Sequence, residues 1–221
     1  VNPTQYYDEQ SQALASQYNA RDPETVHSSW SALLDKQQPR LACDIGAGSG
    51  RDARWLASRG WEVIAVEPSA PMRETGEAYT RGESVTWMSD TLPRLQQLRN
   101  LGCRFDLMLL SAVWQHLPPA DREGAFRVLS NLLRPGGHLV ITLRQGSDEA
   151  ENRARQFYPV SAEELQILAR QHALIEAGGG AQNDALRPHV FWETRVFTLP
   201  EPAQLTPPTS GNTAVPYPRP T

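Results

Sequence analysis

The stretch Cys43-Asp44-Ile45-Gly46-Ala47-Gly48-Ser49-Gly50-Arg51-Asp52 decides the fold. An apolar run ends in a glycine-rich turn that opens onto a helix-like segment from Arg51. Glycine lets the backbone take positive φ and approach a ligand closely, and the first N–H groups of a helix are free to meet that ligand. Such a loop at the carboxyl end of a strand is a nucleotide-type site. A dinucleotide fingerprint, G-x-G-x-x-G, needs glycine at 51, where Arg51 stands, and no lysine completes a P-loop. The spacing found is G-x-G-x-G, preceded by Asp44. An acid there repels pyrophosphate and suits a ligand with an ammonium group and a sulfonium. A tight turn with close helix packing needs the same glycines, so the loop alone leaves both readings open.

On either side the chain alternates short apolar runs with helix-like segments. Runs at 41–45, 61–66, 85–88, 105–110 and 138–143 read as strands, with helices at 51–58, 70–79, 93–100 and 120–133. This alternation predicts βαβ units and a parallel sheet. Ser161 and Glu164 form a capping box for a further helix to about His172. Strands at 174–177 and 190–199 follow, separated by a loop holding the glycine run 178–180 and residues 183–188, and are expected to pair antiparallel. The second strand runs into Glu67, where an acid can accept from two ribose hydroxyls; a solvated strand-end charge is the plainer alternative. Ahead of the first strand, Asn2, Pro3 and Gln5 give a helix start, with Tyr7, Leu14 and Tyr18 along one face. Asp22-Pro23 repeats the signal, and Val26, Trp30, Leu33 and Leu34 predict the buried stripe of a second helix.

With these elements in place the chain resembles the class I S-adenosylmethionine (SAM)-dependent methyltransferases. L-A-C-D-I-G-A-G-S-G-R-D is similar to their first motif and V-I-A-V-E-P to their acid-ended second strand. W-M-S-D-T-L-P resembles the adenine-contacting segment, F-D-L-M-L-L-S-A-V-W-Q-H-L the fourth-strand motif of small-molecule enzymes, and L-L-R-P-G-G-H-L-V-I-T the turn into the fifth strand. The resemblance implies a Rossmann-like three-layer αβα fold, with a seven-stranded, mostly parallel sheet, one antiparallel strand and the order 3-2-1-4-5-7-6. It implies SAM as cofactor and a small-molecule acceptor methylated at O, N, S or C. Carried over by position, Gly46, Ala47, Gly48 and Gly50 would shape the loop under the methionine part of SAM. Asp44 would position its ammonium group, and Glu67, followed by Pro68, would bind the ribose. Met72 would pack on the adenine, Asp90 would accept from its amino group with Ser89 and Thr91 beside it, and Ser111 would lie near the methionine moiety. Arg51 is unusual after the third glycine and takes no role.

Methyl transfer from a sulfonium is an in-line displacement, so positioning and exclusion of water are the protein's main tasks. A base is needed only for a poorly ionised acceptor. His116 is the candidate base, with packing near Leu117-Pro118 as the plainer alternative. Trp114 is a candidate wall of the substrate pocket or, equally, a core residue, and Arg144 is a candidate substrate contact. Tyr7 and Tyr18, with Tyr6, resemble the N-terminal aromatic lid residues of related enzymes, with ordinary helix packing as the plainer alternative. Segment 144–160 is long and polar, and follows the fifth strand at its carboxyl end. Within it Arg144, Arg153 and Arg155 suit an acidic acceptor or, more simply, a solvated helix face. The histidines and the cysteines Cys43 and Cys103 show no metal-ligand spacing, and no metal is expected. Neither an Asn/Asp-Pro-Pro-Tyr/Phe sequence after the fourth strand nor a Pro-Cys dipeptide is present, which argues against methylation of DNA bases.

The 221 residues suit one domain with an appendage, and a hydrophobic share of 39% supplies a core. A net charge of −4 gives no global field to attract nucleic acid or an acidic membrane. A local arginine patch still leaves protein or RNA acceptors open. Two rival readings are a nicotinamide-dependent oxidoreductase, disfavoured by Arg51, and a SAM-binding regulator without transfer. No apolar run is long enough to span a bilayer, and the first residues lack a secretory pattern, so a reducing cytoplasm is the expected location. Pro200, Pro202, Pro207, Pro208, Pro216, Pro218 and Pro220 mark an extended tail. The expected division is a helical lid over 1–38, a methyltransferase domain over 39–199 and a proline-rich tail over 200–221 open to a protein partner.

Overall fold

The computed structural model describes residues 3–184 and 186–202. Helix α1 (Pro3–Asn19) and the short α2 (Pro23–Val26) precede the sheet. Then follow β1 (Leu41–Ile45), α3 (Arg51–Ser58), β2 (Glu62–Val66), α4 (Ala70–Tyr79), β3 (Val85–Met88), α5 (Gln96–Asn100) and β4 (Phe105–Ser111). The chain continues through α6 (Pro119–Leu132), β5 (Leu133–Gly146), α7 (Glu149–Ala154), α8 (Ala162–Gln171), β6 (Ile175–Asn183) and β7 (Val190–Thr198).

The seven strands form one sheet in the order β3-β2-β1-β4-β5-β7-β6. All run parallel except β7, which is antiparallel to both β5 and β6. This is the expected three-layer arrangement with one reversed strand. Both faces are covered, which is why the central strands read as unbroken apolar runs. Cys43, Ile45, Met108 and Leu110 pack with Phe126 and Leu129 of α6 and Leu165 of α8. Ala42, Val63, Ala65, Leu107 and Leu109 pack on the other side with Trp30, Trp55 and Leu56.

The structure corrects three expectations. The helix predicted beyond Asp22-Pro23 stops at Val26, although Asp22 caps it by accepting from the Glu24 and Thr25 N–H groups. His27 turns inward instead: it accepts from Trp30 Nε1 at 3.2 Å, stacks on Trp55 at 5.0 Å, and places Nε2 2.9 Å from Asp52 Oδ1. Trp30 and Leu34 reach the core, Leu34 from a tight 3-10 turn over Ser31–Lys36. Second, the helix expected over 93–100 begins only at Gln96, because the Asp90 carboxylate reaches forward to the Leu98 N–H at 2.9 Å. Third, the glycine run 178–180 lies within β6 and not in a loop. There β6 is an edge strand, paired among the described residues with β7 alone, with a register shift between Glu176 and Gly178. At Gly179 φ is +147°, and a Cβ would collide with the Thr194 carbonyl oxygen of β7. Glycine here serves close strand approach beside an irregular pairing, which turn statistics misread. The proposed cap at Asn2, and the tail from 203 onward, lie outside the described residues.

Candidate active site

β1 lies between β2 and β4, so the connections leaving its carboxyl end and that of β4 diverge to opposite sides. That crevice is where ligands settle in open α/β sheets. The glycine loop fills its floor. The Gly46 and Ala47 N–H groups both donate to the Val66 carbonyl, at 2.8 and 3.0 Å, tying the loop to β2. Gly46, Gly48 and Gly50 have φ of +70°, +55° and +84°. A Cβ on Gly46 would stand 2.5 Å from Val113 Cγ2, and one on Gly50 2.9 Å from the Trp87 ring. Spacing and close packing therefore both demand these glycines.

Glu67 lies just past β2, almost wholly buried. It accepts from the Gly48 N–H at 2.8 Å with one oxygen and from the Ser69 N–H at 2.9 Å with the other. One carboxylate thus bridges the loops after β1 and β2. Burial raises its pKa, against the pull of those two N–H groups. Pro68 is half-buried beside it, and the Met72 side chain is buried with its Cε against the Gly48 position. Asp44 is 1% exposed, and its Oδ2 lacks a hydrogen-bond donor among the described residues. Burial, then the Asp52 charge, holds its carboxyl well above the usual range. It is an orphan acceptor behind the glycine loop that an approaching cation would satisfy. Arg51 forms a two-point pair with its neighbour Asp52, Nε to Oδ1 at 2.7 Å and Nη2 to Oδ2 at 2.9 Å.

Ser89, Asp90 and Thr91 follow β3. Asp90 accepts from the Thr91 and Leu98 N–H groups with its two oxygens, so it shapes its own loop. Ser111 closes β4, paired with Thr142 of β5. Beyond it Trp114 takes the second of its two readings: it is fully buried, edge-on to Phe126 at 6.2 Å, and packs in the core instead of lining a pocket.

Helix α1 lies across these loops and bonds to the segments after β4, β2 and β1. Tyr7 Oη is 2.9 Å from His116 Nε2, Asp8 accepts from the Ser69 hydroxyl at 2.6 Å, and Asn19 accepts from the Ser49 hydroxyl at 2.7 Å. Arg155 donates to both Tyr7 and Tyr18 hydroxyls, at 2.9 and 3.1 Å. Arg144 donates to Glu151 at 2.6 Å and spreads over the Phe157 ring. Burial, followed by the nearby Arg155 charge, pulls the His116 pKa down to about 4. Burial pushes the Tyr7 phenol up.

Tyr7, Tyr18, His116 and Arg144 thus gather around Arg155 and Phe157, while Trp114 packs in the core. Arg153 is exposed. Sequence reasoning missed Asp8, Asn19 and Glu151. The partners of Asn19 and Asp8 lie 30 and 61 positions away, beyond any local pattern, whereas Glu151 pairs with Arg144 and Arg155, 7 and 4 positions away, and only its tertiary setting sets it apart. Asp148, Glu151 and His189 bring ligand-type atoms within 4.8 Å of one another. Glu151 is already taken by Arg144 and Arg155, and two guanidiniums beside it repel a cation.

Residues 43–141 match the family of the methyltransferase domain. An uncharacterized methyltransferase of Geobacillus kaustophilus is 30% identical over 140 residues, covering 59% of this chain and 62% of that protein. A trans-aconitate 2-methyltransferase of Methylobacterium radiotolerans is 30% identical over 130 residues, covering 55% of this chain and 45% of that protein. The structure of a magnesium protoporphyrin IX methyltransferase from Synechocystis with bound SAM aligns with a TM-score of 0.62. The match covers 87% of this chain and 83% of that one at 19% identity, a likeness of fold. The chain spans about half to three-fifths of the length of the curated relatives it matches. Among the described residues no helix is long and apolar enough to cross a membrane.

Proposed function

We propose that this chain is a class I SAM-dependent methyltransferase and transfers a methyl group from SAM to a small-molecule acceptor. The observation that carries the reading is the bridging Glu67 carboxylate, held between Gly48 and Ser69 at the switch point of the sheet. An acid so placed beside a glycine loop offers its outward lone pairs to the two hydroxyls of a ribose. The orphan Asp44 Oδ2 fits the same ligand, because it lacks the donor that an ammonium group brings. Gly46, Ala47, Gly48 and Gly50 would carry the methionine part, with Met72 and Asp90 toward the adenine and Ser111 at the methionine end.

SAM, when bound, supplies a methyl group on a sulfonium. The chain's own residues bind, orient and keep water away. Residues 1–38 act as the lid: Tyr7, Asp8 and Asn19 hold α1 over the loops after β4, β2 and β1. Acceptor contacts fall to Tyr7, Tyr18 and Arg144. His116 is neutral near pH 7, because burial lowers its pKa to about 4. That low basicity makes it a hydrogen-bonding wall of the acceptor side more than a strong base.

Calorimetry with SAM, S-adenosylhomocysteine and NAD tests the reading. Micromolar binding of the first two with none of NAD is expected. Tighter binding of NAD would overturn it.

A further inference from the structure

Arg144 lies near the end of β5, paired with Trp192 of β7, with 3% of its surface exposed. Its Nη2 donates to Glu151, but Nε and Nη1 lack any hydrogen-bond partner among the described residues. Arg155 is 9% exposed; it donates to the same Glu151, and its Nε is likewise unpartnered. Both guanidiniums sit on the Phe157 ring, 4.9 and 4.7 Å from its centroid. Arginine does not release its proton in proteins. Two buried positive charges therefore share one carboxylate.

The neighbouring groups do not supply the missing charge. Tyr7 and Tyr18 meet Arg155 as hydroxyls, and His116 is neutral. Arg187, at the rim, is paired with Asp184. Asp148 is exposed and caps α7 by accepting from the Ala150 and Glu151 N–H groups. His189 adds only an imidazole 3.8 Å from Glu151. An uncompensated buried cation with unmet donors is costly, and such a cost persists where a ligand removes it.

We infer that the methyl acceptor is a carboxylic acid, whose carboxylate is anchored by the unmet donors of Arg144 and Arg155 beside Phe157. One negative charge matches the one unbalanced positive charge, and two carboxylate oxygens have room for the three unmet nitrogens. A dianionic phosphate would reverse the imbalance. Arg144 and Arg155 are then specificity residues. The inference rests on the methyl-transfer reading for the word acceptor, but the carboxylate site stands on its own residues.

The test uses the full chain, titrated with butyrate, benzoate, butyramide and inorganic phosphate, with and without S-adenosylhomocysteine. Butyrate or benzoate is expected to bind at least about tenfold more tightly than butyramide or phosphate. Arg144→Met is expected to abolish carboxylate binding, leave S-adenosylhomocysteine affinity within about threefold and raise the melting temperature of the free protein, since it removes the unbalanced charge. Arg144→Lys keeps the charge and loses the fork, and is expected to weaken the carboxylate by about tenfold; it also decides the matter if the Met variant fails to fold. Equal binding of butyramide, tighter binding of phosphate, or unchanged carboxylate binding in the Lys variant would overturn the inference. A chain that ignores S-adenosylhomocysteine yet takes butyrate through Arg144 would overturn the methyl-transfer reading and leave this site standing.

Discussion

Tyr7 Oη and His116 Nε2 lie 2.9 Å apart, although 109 positions separate the two residues in the chain. Arg155 donates to the same phenol oxygen, so the hydroxyl proton is left to point at the imidazole. The contact fixes His116 as an acceptor at Nε2 and fastens α1 to the segment after β4. Protonation of His116 would oppose that bond.

The pH dependence of stability follows. The native imidazole takes its proton near pH 4, whereas the unfolded one takes it near 6.5. Between those values the unfolded chain binds more protons, so stability falls as pH drops through the window. The span is worth on the order of 3 kcal/mol. Glu67 and Asp44, with raised pKa values, contribute in the opposite sense, so the wild type must be compared with His116→Gln. Urea unfolding at pH 7 and pH 4 is expected to show the wild type losing stability relative to that variant. Parallel curves would mean that the fold leaves this imidazole unperturbed.

Glu67→Ala separates cofactor binding from the acceptor side. It removes the acceptor for two N–H groups and for the ribose, at about 2–4 kcal/mol for two charge-assisted bonds. Affinity for S-adenosylhomocysteine should fall roughly thirty- to several-hundred-fold, while His116→Gln should stay within about threefold. If calorimetry returned the reverse pattern, the assignment of roles around the loop would be wrong.

At Gly46 two causes can be told apart. Gly46→Ala meets both the +70° φ and the methyl groups of Val113. Its cost is expected at about 2–4 kcal/mol. Adding Val113→Ala should relieve the collision but not the backbone strain, recovering only part of that loss. Full recovery by thermal denaturation would show that φ is of no account there.

Tyr7→Phe should loosen α1 without touching the glycine loop. Losing the hydroxyl costs about 1–2 kcal/mol at this contact, which should speed amide exchange across α1 by roughly five- to thirtyfold while β1 and β4 keep their protection. Exchange that accelerates evenly through the sheet would instead mark Tyr7 as part of the global fold.

Truncation after Leu199 should leave the domain intact. Leu199 already closes the sheet through its N–H to the Gly137 carbonyl at 3.1 Å and its carbonyl to the Gly136 N–H at 2.7 Å. Unchanged melting and unchanged S-adenosylhomocysteine affinity are expected. A collapse in melting would assign the proline-rich segment a structural part.

What could be read in advance was whatever local spacing controls. The alternation of strands and helices, the glycine loop and Glu67 rest on neighbours in sequence, whereas the strand order followed only from the family resemblance. The stopped α2 could not be read, because His27 trades helix for a tertiary contact with Asp52 and Trp55. Nor could the glycines of β6, which serve the proximity of Thr194. Arg144 and Arg155 looked like any mixed-charge helix face. Only burial and the count of unmet donors distinguish them from the exposed Arg153.

The reversed strand has a consequence for the order in which the molecule can be made. Among the described residues β6 pairs with β7 alone, and β7 is the later of the two to be synthesised. Until residues 190–198 leave the ribosome, β6 has no strand to join, and β5 presents an unpaired edge that includes Leu139, Ile141 and Leu143. The nascent chain must therefore wait with its sheet open on one side. Arrest or cleavage before residue 190 would release a sticky fragment and not a smaller, finished domain.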